Sequence, residues 1–161
     1  MTKEDPRISA GLMGLTYATG AVGVGIGLST VHAEKPTLRV ACLLAVGVAG
    51  FLSWIRHSVF HRSDAIRMGW DLGKRNSFQI EVGLANLAWA LLAFLAVILD
   101  WGLRAEAASM LVFGFYLASV VILVVLGPKD ENAKRAWAPI IGMTIFATLL
   151  ITVGFQGMAA G

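Results

Sequence analysis

Apolar residues run along this chain in five long blocks separated by short polar stretches. The first, from Ile8 to Val31, contains no Asp, Glu, Lys, Arg or His. At 1.5 Å of rise per helical residue it is longer than the roughly 30 Å hydrocarbon core of a bilayer. The other blocks cover about residues 38–60, 77–99, 106–126 and 138–156. Pro36 stands just before the second block and Pro139 in the first turn of the fifth, where the missing N–H of proline costs a helix nothing. The pattern predicts an all-α integral membrane bundle of five transmembrane helices, one domain over residues 1–161. A cleaved signal peptide is the rival reading of the first block, because Val31-His32-Ala33 offers small or moderate side chains near its end. The block is longer than such a signal requires, and the arm before it carries Glu4 and Asp5.

Composition agrees with the pattern. The 161 residues are 57% hydrophobic and 14% charged, with mean hydropathy +0.74, whereas soluble domains are about a quarter charged. A net charge of +3 and a pI near 9.4 do not imply nucleic acid, since the basic residues sit in short loops between apolar runs and form no groove-reading element. Cys42 is the lone cysteine and falls inside an apolar run. It forms no intrachain disulfide and reads as a small buried residue.

The basic residues set an expected orientation. Lys3 and Arg7, then Arg56, Arg62, Arg67, Lys74 and Arg75, then Lys129, Lys134 and Arg135 put ten cations on one side, against Lys35, Arg39 and Arg104 on the other. Short cytoplasmic loops are enriched in Lys and Arg, so the expected topology is a multi-pass protein of the cell (inner or plasma) membrane, with its N-terminus cytoplasmic and its C-terminus external. Trp54, Trp70, Trp101 and Trp137 fall near helix ends, as interfacial anchors do, and Trp89 falls mid-span.

Two helix faces stand out. In the first span Thr16, Gly20, Gly23 and Gly27 recur at i, i+4, i+7 and i+11, a small-residue seam that admits close packing by another helix of this chain or by another subunit. In the third span Gln79, Gly83, Asn86 and Ala90 recur at the same spacing, while Glu81 points about 140° away from Asn86. Glu81 lies about one turn inside, near possible partners in Arg56, Arg75 or a histidine of the second span. Asn86 lies about 12 Å in and is expected to hydrogen-bond a neighbouring helix. Intramembrane polar groups are functional candidates, with interhelical bonding as the competing role.

The stretch from Arg56 to Leu87 gathers most of the remaining chemistry. His57, His61 and Asp64 are spaced i, i+4, i+7 and share a face if the second helix continues that far. With Glu81 they offer a ligand set acceptable to zinc or non-haem iron. The zincin pattern is absent, because Ser58 follows His57, and a solvated or headgroup-facing helix end accounts for the same residues. Ser63 or Asp64 is expected to cap a short interfacial helix that runs through Met68 and closes at Gly69, with Ile66 and Trp70 dipping into the interface. Lys74 and Arg75 in the turn that follows face anionic headgroups.

RHSVFHRSDAIRMGW, from Arg56 to Trp70, and FQIEVGLANLAWALLA, from Phe78 to Ala93, resemble an uncharacterised family of small multi-span membrane proteins of bacteria and archaea. In that family a histidine-bearing helix end, a Gly-Trp and a Phe-Gln-x-Glu-Val-Gly-x-Ala-Asn-Leu segment recur. The resemblance covers roughly residues 50–125, with little from the first and fifth spans. His57, His61, Gly69, Trp70, Gln79, Glu81, Gly83 and Asn86 match its motif positions, and it implies no activity.

Three functions of different kinds follow. One is a structural or accessory subunit that packs laterally in a larger membrane complex, with membrane lipids and other membrane-protein subunits as partners. Another is a membrane enzyme or redox protein using His57, His61 and Glu81. The third is a small transporter or lipid-binding protein whose Gln79–Asn86 stripe lines a cavity. The sequence has no nucleotide loop, no complete metal motif and no nucleophile placed beside a histidine. No catalytic residue, cofactor or metal is therefore expected, and the subunit reading comes first.

Overall fold

The computed structural model describes residues 4–69, 71, 73–127 and 137–161. Lys3, Trp70, Lys129, Lys134 and Arg135, which entered the expectations above, lie outside the described residues. All regular structure among the described residues is helical. Five helices are long and apolar enough to cross a membrane: α1 (Pro6–Thr30), α2 (Arg39–Val59), α4 (Ser77–Ile98), α5 (Leu103–Leu126) and α6 (Trp137–Ala160). The short helix α3 (His61–Met68) lies between α2 and α4. The five expected spans are thus present, with ends shifted by up to four residues.

Local chemistry explains where the helices begin and end. Asp5 caps α1, its Oδ1 accepting the Arg7 N–H at 2.9 Å, and Pro6 occupies the first turn. Asn76 caps α4 by accepting the Gln79 N–H at 3.1 Å. Gly69 closes α3 in the left-handed conformation at φ 78°, the backbone state glycine adopts without strain. Ser63 and Asp64 do not cap α3, contrary to expectation. The helix starts earlier, at His61, so both residues fall inside it and turn their side chains to other elements. Within the spans, Thr16, Thr144, Thr148 and Thr152 donate their hydroxyls to carbonyls one turn back, which satisfies them in an apolar medium.

The second span departs most from a regular helix. Leu43–Val48 and Ile55–Val59 are wound as π-helix. Phe60 then breaks the helix at φ −109°, ψ 32° before α3 begins. Wide turns of this kind interrupt helices mostly at single points and often at functional positions.

The chain passes back and forth an odd number of times, so its ends lie at opposite ends of the bundle. Ser9 near the start of α1 meets α3, whereas Gly161 lies beside Leu103 and Arg104 at the start of α5. The glycine seam of α1 is consumed inside the chain. A methyl group added at Gly23 would meet the Ala45 backbone of α2 at 2.6 Å, one at Gly20 would meet the Phe146 ring of α6, and one at Gly27 would meet Val153 of α6 and Ala41 of α2. The buried centre combines Leu38, Cys42, Val46, Met110, Phe113 and Leu150. Phe113 stacks with Tyr116 and meets Phe146 edge-on.

A buried carboxylate network at one end of the bundle

Asp64 is the centre of the candidate functional site. Its side chain is 1% exposed, and burial of an ionised carboxylate is sustained only by charge partners and hydrogen bonds. Four elements supply them. Ser9 of α1 donates its hydroxyl to Asp64 Oδ1 at 2.5 Å, and Arg67 Nη2, one turn along α3, reaches the same oxygen at 2.9 Å. Gln79 of α4 donates Nε2 to Asp64 Oδ2 at 2.9 Å. From the end of α2, His57 Nδ1 lies 2.9 Å from Oδ2, off the axis of a linear N–H bond, and Arg56 Nε lies 3.9 Å from Oδ1. Burial by itself would raise the Asp64 carboxyl. The His57 ring, the Arg56 guanidinium and the Ser9 hydroxyl outweigh it and hold the group well below the usual carboxylate range.

A second layer of bonds fixes these partners. Arg67 Nε donates to Ser9 Oγ at 3.0 Å, Ser63 Oγ accepts the Ser9 N–H at 3.1 Å, and the same hydroxyl donates to the Asp5 carbonyl at 2.6 Å. The start of α1 is thereby tied to α3 through both backbone and side chains. Arg62 extends the ties outward by pairing with Glu4 and Asp71. Arg56 Nη2 approaches His57 Nε2 at 2.7 Å, so these two neighbours converge on Asp64 from the π-helical turn. Arg56 and Arg67 together bring two guanidinium charges to one carboxylate.

The candidate residues separate into three groups. His57, Asp64 and Gln79 come together in the network. His61 does not join them, because the helix breaks at Phe60 and the expected i, i+4, i+7 face is lost; its Nδ1 lies 3.1 Å from the Ser58 carbonyl. Glu81 is exposed on α4 and forms no ion pair with another described residue. Among the described residues no three His, Cys, Asp or Glu side chains converge as a metal-ligand group.

The stripe on α4 packs against α2. A methyl group on Gly83 would collide with Ser58, and one on Gly50 would meet the Asn86 carbonyl at 3.0 Å and Ala90 at 3.3 Å. Asn86 donates Nδ2 to the Val82 carbonyl of its own helix at 2.8 Å, and its side chain stands near Tyr116 of α5. The hydrogen bond of the Asn86 amide is thus within α4 and not to the neighbouring helix expected from the sequence.

Ser9, Ser63 and Arg67 were not singled out in the sequence as site residues. A serine in the first turn of an apolar helix looks like any small residue, and no spacing rule joins positions 9 and 64. Glu106 is a buried carboxylate that was also not singled out, at the opposite end of the bundle. It is 2% exposed, and its Oε2 accepts the Leu38 N–H at 3.2 Å, capping the entry to α2. The sequence signal for it is an acidic residue inside an apolar run once α5 is seen to start at Leu103 rather than at Glu106.

No characterised protein and no solved structure matches this chain. A family model does match, over residues 12–155, and so reaches the first and fifth spans that the local resemblance left out. The chain belongs to DUF6790, a family of unknown function.

Proposed function

We propose that this membrane-spanning protein is a structural or accessory subunit that packs laterally in a larger membrane complex of the cell membrane, with its N-terminus cytoplasmic and its C-terminus external. The observation that carries this reading is how the polar chemistry is used. Both oxygens of Asp64 are engaged by groups of the same chain, and the Gln79–Asn86 stripe packs against α2. These groups join helices, which is the competing role for intramembrane polar residues.

The outward surface supplies the other support. Between α1 and α6 lies an apolar groove of about 310 Å³, lined by Ala21, Gly25 and Leu28 on one side and Gly142, Ile145 and Leu149 on the other. Small side chains on both walls suit the close approach of a partner's transmembrane helix, since association in lipid rests on packing. A metal enzyme using His57, His61 and Glu81 is less well supported, because the three residues face different surroundings.

The test is the size of native material extracted in mild detergent, with Gly25→Leu and Gly142→Leu as groove-filling variants. A companion protein that is present with the wild type and lost from the double variant is expected. A particle accounted for by 17.1 kDa of protein and its micelle would count against the reading.

A further inference from the structure

Beside the Asp64 network, and separate from it, the loop end of the bundle holds a pocket of about 150 Å³. A cavity this size accommodates a small anion with several waters, as one water needs about 10–15 Å³ by the same measure. His61 and Arg62 of α3, Asp71, Lys74 and Arg75 of the connection, and Ser77 at the start of α4 line it. Arg62 is already offset by Asp71 and Glu4. Lys74 and Arg75 are exposed, and neither has a hydrogen-bond or ion-pair partner among the described residues.

The backbone adds donors at the same place. The Asn76 side chain takes the Gln79 N–H and its carbonyl takes the Ile80 N–H, and the N–H groups of Ser77 and Phe78 have no acceptor among the described residues. These lie at the positive end of a 22-residue helix. An ammonium, a guanidinium and a hydroxyl line the pocket beside the amides of a helix N-terminus, a donor set that suits a phosphate oxyanion. Exposed apolar side chains adjoin the pocket elements: Phe78 is 72% exposed, and Ile66 and Met68 of α3 are also uncovered. Such residues place this end of the bundle at the depth of lipid headgroups.

We propose that this pocket binds a phosphate monoester group, presented by a lipid headgroup or by a soluble phosphate. The two sources are separated by two measurements on the full-length protein in nanodiscs. One is retention of phosphatidic acid, supplied as a minor component in phosphatidylcholine and read by native mass spectrometry. The other is titration with inorganic phosphate in nanodiscs of phosphatidylcholine alone.

Lys74→Gln combined with Arg75→Gln is expected to weaken binding about thirty-fold, from two cationic contacts near the surface. Lys35→Gln, in the exposed loop at the other end of the bundle, should change nothing. Ser77→Leu fills the pocket without altering charge and should also weaken binding, which diffuse surface attraction would not. Retention of phosphatidic acid without phosphate binding supports the site with the lipid as its source, and phosphate binding of comparable strength supports it with a soluble source. Equal retention of phosphatidic acid by the wild type and the charge variant, together with no phosphate binding, overturns it. So does a charge variant that weakens phosphatidic acid and phosphatidylglycerol alike while Ser77→Leu has no effect.

Discussion

Ser9 and Asp64 stand 55 residues apart in the chain and meet at 2.5 Å, side chain to side chain, where α1 enters the bundle and α3 closes it. Because the same carboxylate also takes bonds from Arg67 and Gln79 and the approach of His57, it joins α1, α2, α3 and α4 at one buried point. Removing one member of a buried ionic cluster costs more than its net contribution, since the remaining charges stay buried without compensation. Asp64→Ala is therefore expected to destabilise the protein by about 3 kcal/mol or more. Ser9→Ala, which removes the hydroxyl's bonds to Asp64 and to Arg67, should cost about 2 kcal/mol or more. Unfolding in mixed micelles measures both, and an Asp64→Ala protein as stable as the wild type would remove the network from the account of the fold.

The depressed ionisation of Asp64 gives that contribution a pH dependence of definite sign. A carboxyl that ionises at lower pH in the folded chain than in the unfolded one adds stability above the unfolded value, about 4 for aspartate. The stability is lost as pH falls below that value toward the folded one. The gap in unfolding midpoint between wild type and Asp64→Asn should accordingly be widest near neutrality and narrow on acidification below about pH 4. A gap that stays constant from neutral to acidic pH would show that the ionised form is not what the fold uses.

Asn86 of α4 and Tyr116 of α5 stand near each other deeper in the bundle. Side-chain hydrogen bonds between membrane helices contribute about 0.6 to 2 kcal/mol, and Asn86→Leu is expected to lose an amount in that range. Tyr116→Phe tests whether the two groups act as a pair: if they do, the double variant should cost less than the two single changes added together. Strict additivity would mean that the two groups act separately. An Asn86→Leu protein with unchanged stability but altered assembly with a partner would shift the residue from packing to function.

How much of this was legible in the sequence depends on the range of each interaction. The face of α4 that packs inward follows from the spacing of Gln79, Gly83, Asn86 and Ala90, because helical periodicity is local and the span is regular. The same reasoning fails for His57, His61 and Asp64. The spacing assumes a continuous α-helix, whereas α2 ends in a π-helical turn and Phe60 breaks it. Only two of the three then share surroundings. The glycine seam of α1 is legible as a packing face, and its partners, α2 and α6, come from the tertiary arrangement. Ser9 is illegible for a related reason, since its partner Asp64 is far away in sequence and a serine does not announce the contact; Glu106 stands out as an acid in an apolar run, but its partner Leu38 comes only from the tertiary arrangement.

The proposed orientation follows from a charge asymmetry of ten cations against three, most of it in short loops. Reporter fusions should place the N-terminus, and with it the Asp64 end, in the cytoplasm, and the C-terminus outside. Neutralising Lys74 and Arg75 together with Lys129, Lys134 and Arg135, the cations between α5 and α6 in the sequence, should produce molecules of mixed orientation. Reporters that place both termini on one side would contradict an odd number of crossings and with it the count of five spans.

The glycines of α1 give a prediction in which one substitution changes sign with position. At Gly23 an added Cβ would lie 2.6 Å from the Ala45 backbone nitrogen and 2.9 Å from the Ala45 Cβ. Backbone cannot step aside as the tip of a side chain can, so α1 and α2 must separate and the inserted methyl carries the cost of overpacking, about 1–3 kcal/mol. At Gly14 an added Cβ meets nothing within 4 Å. There the change removes the conformational freedom that makes glycine a poor helix former, a gain of up to about 1 kcal/mol. Gly23→Ala should accordingly lower the unfolding midpoint in detergent, and Gly14→Ala should leave it unchanged or raise it. If both variants shift in the same direction, the close approach of α1 to α2 at Gly23 is not what positions the first span.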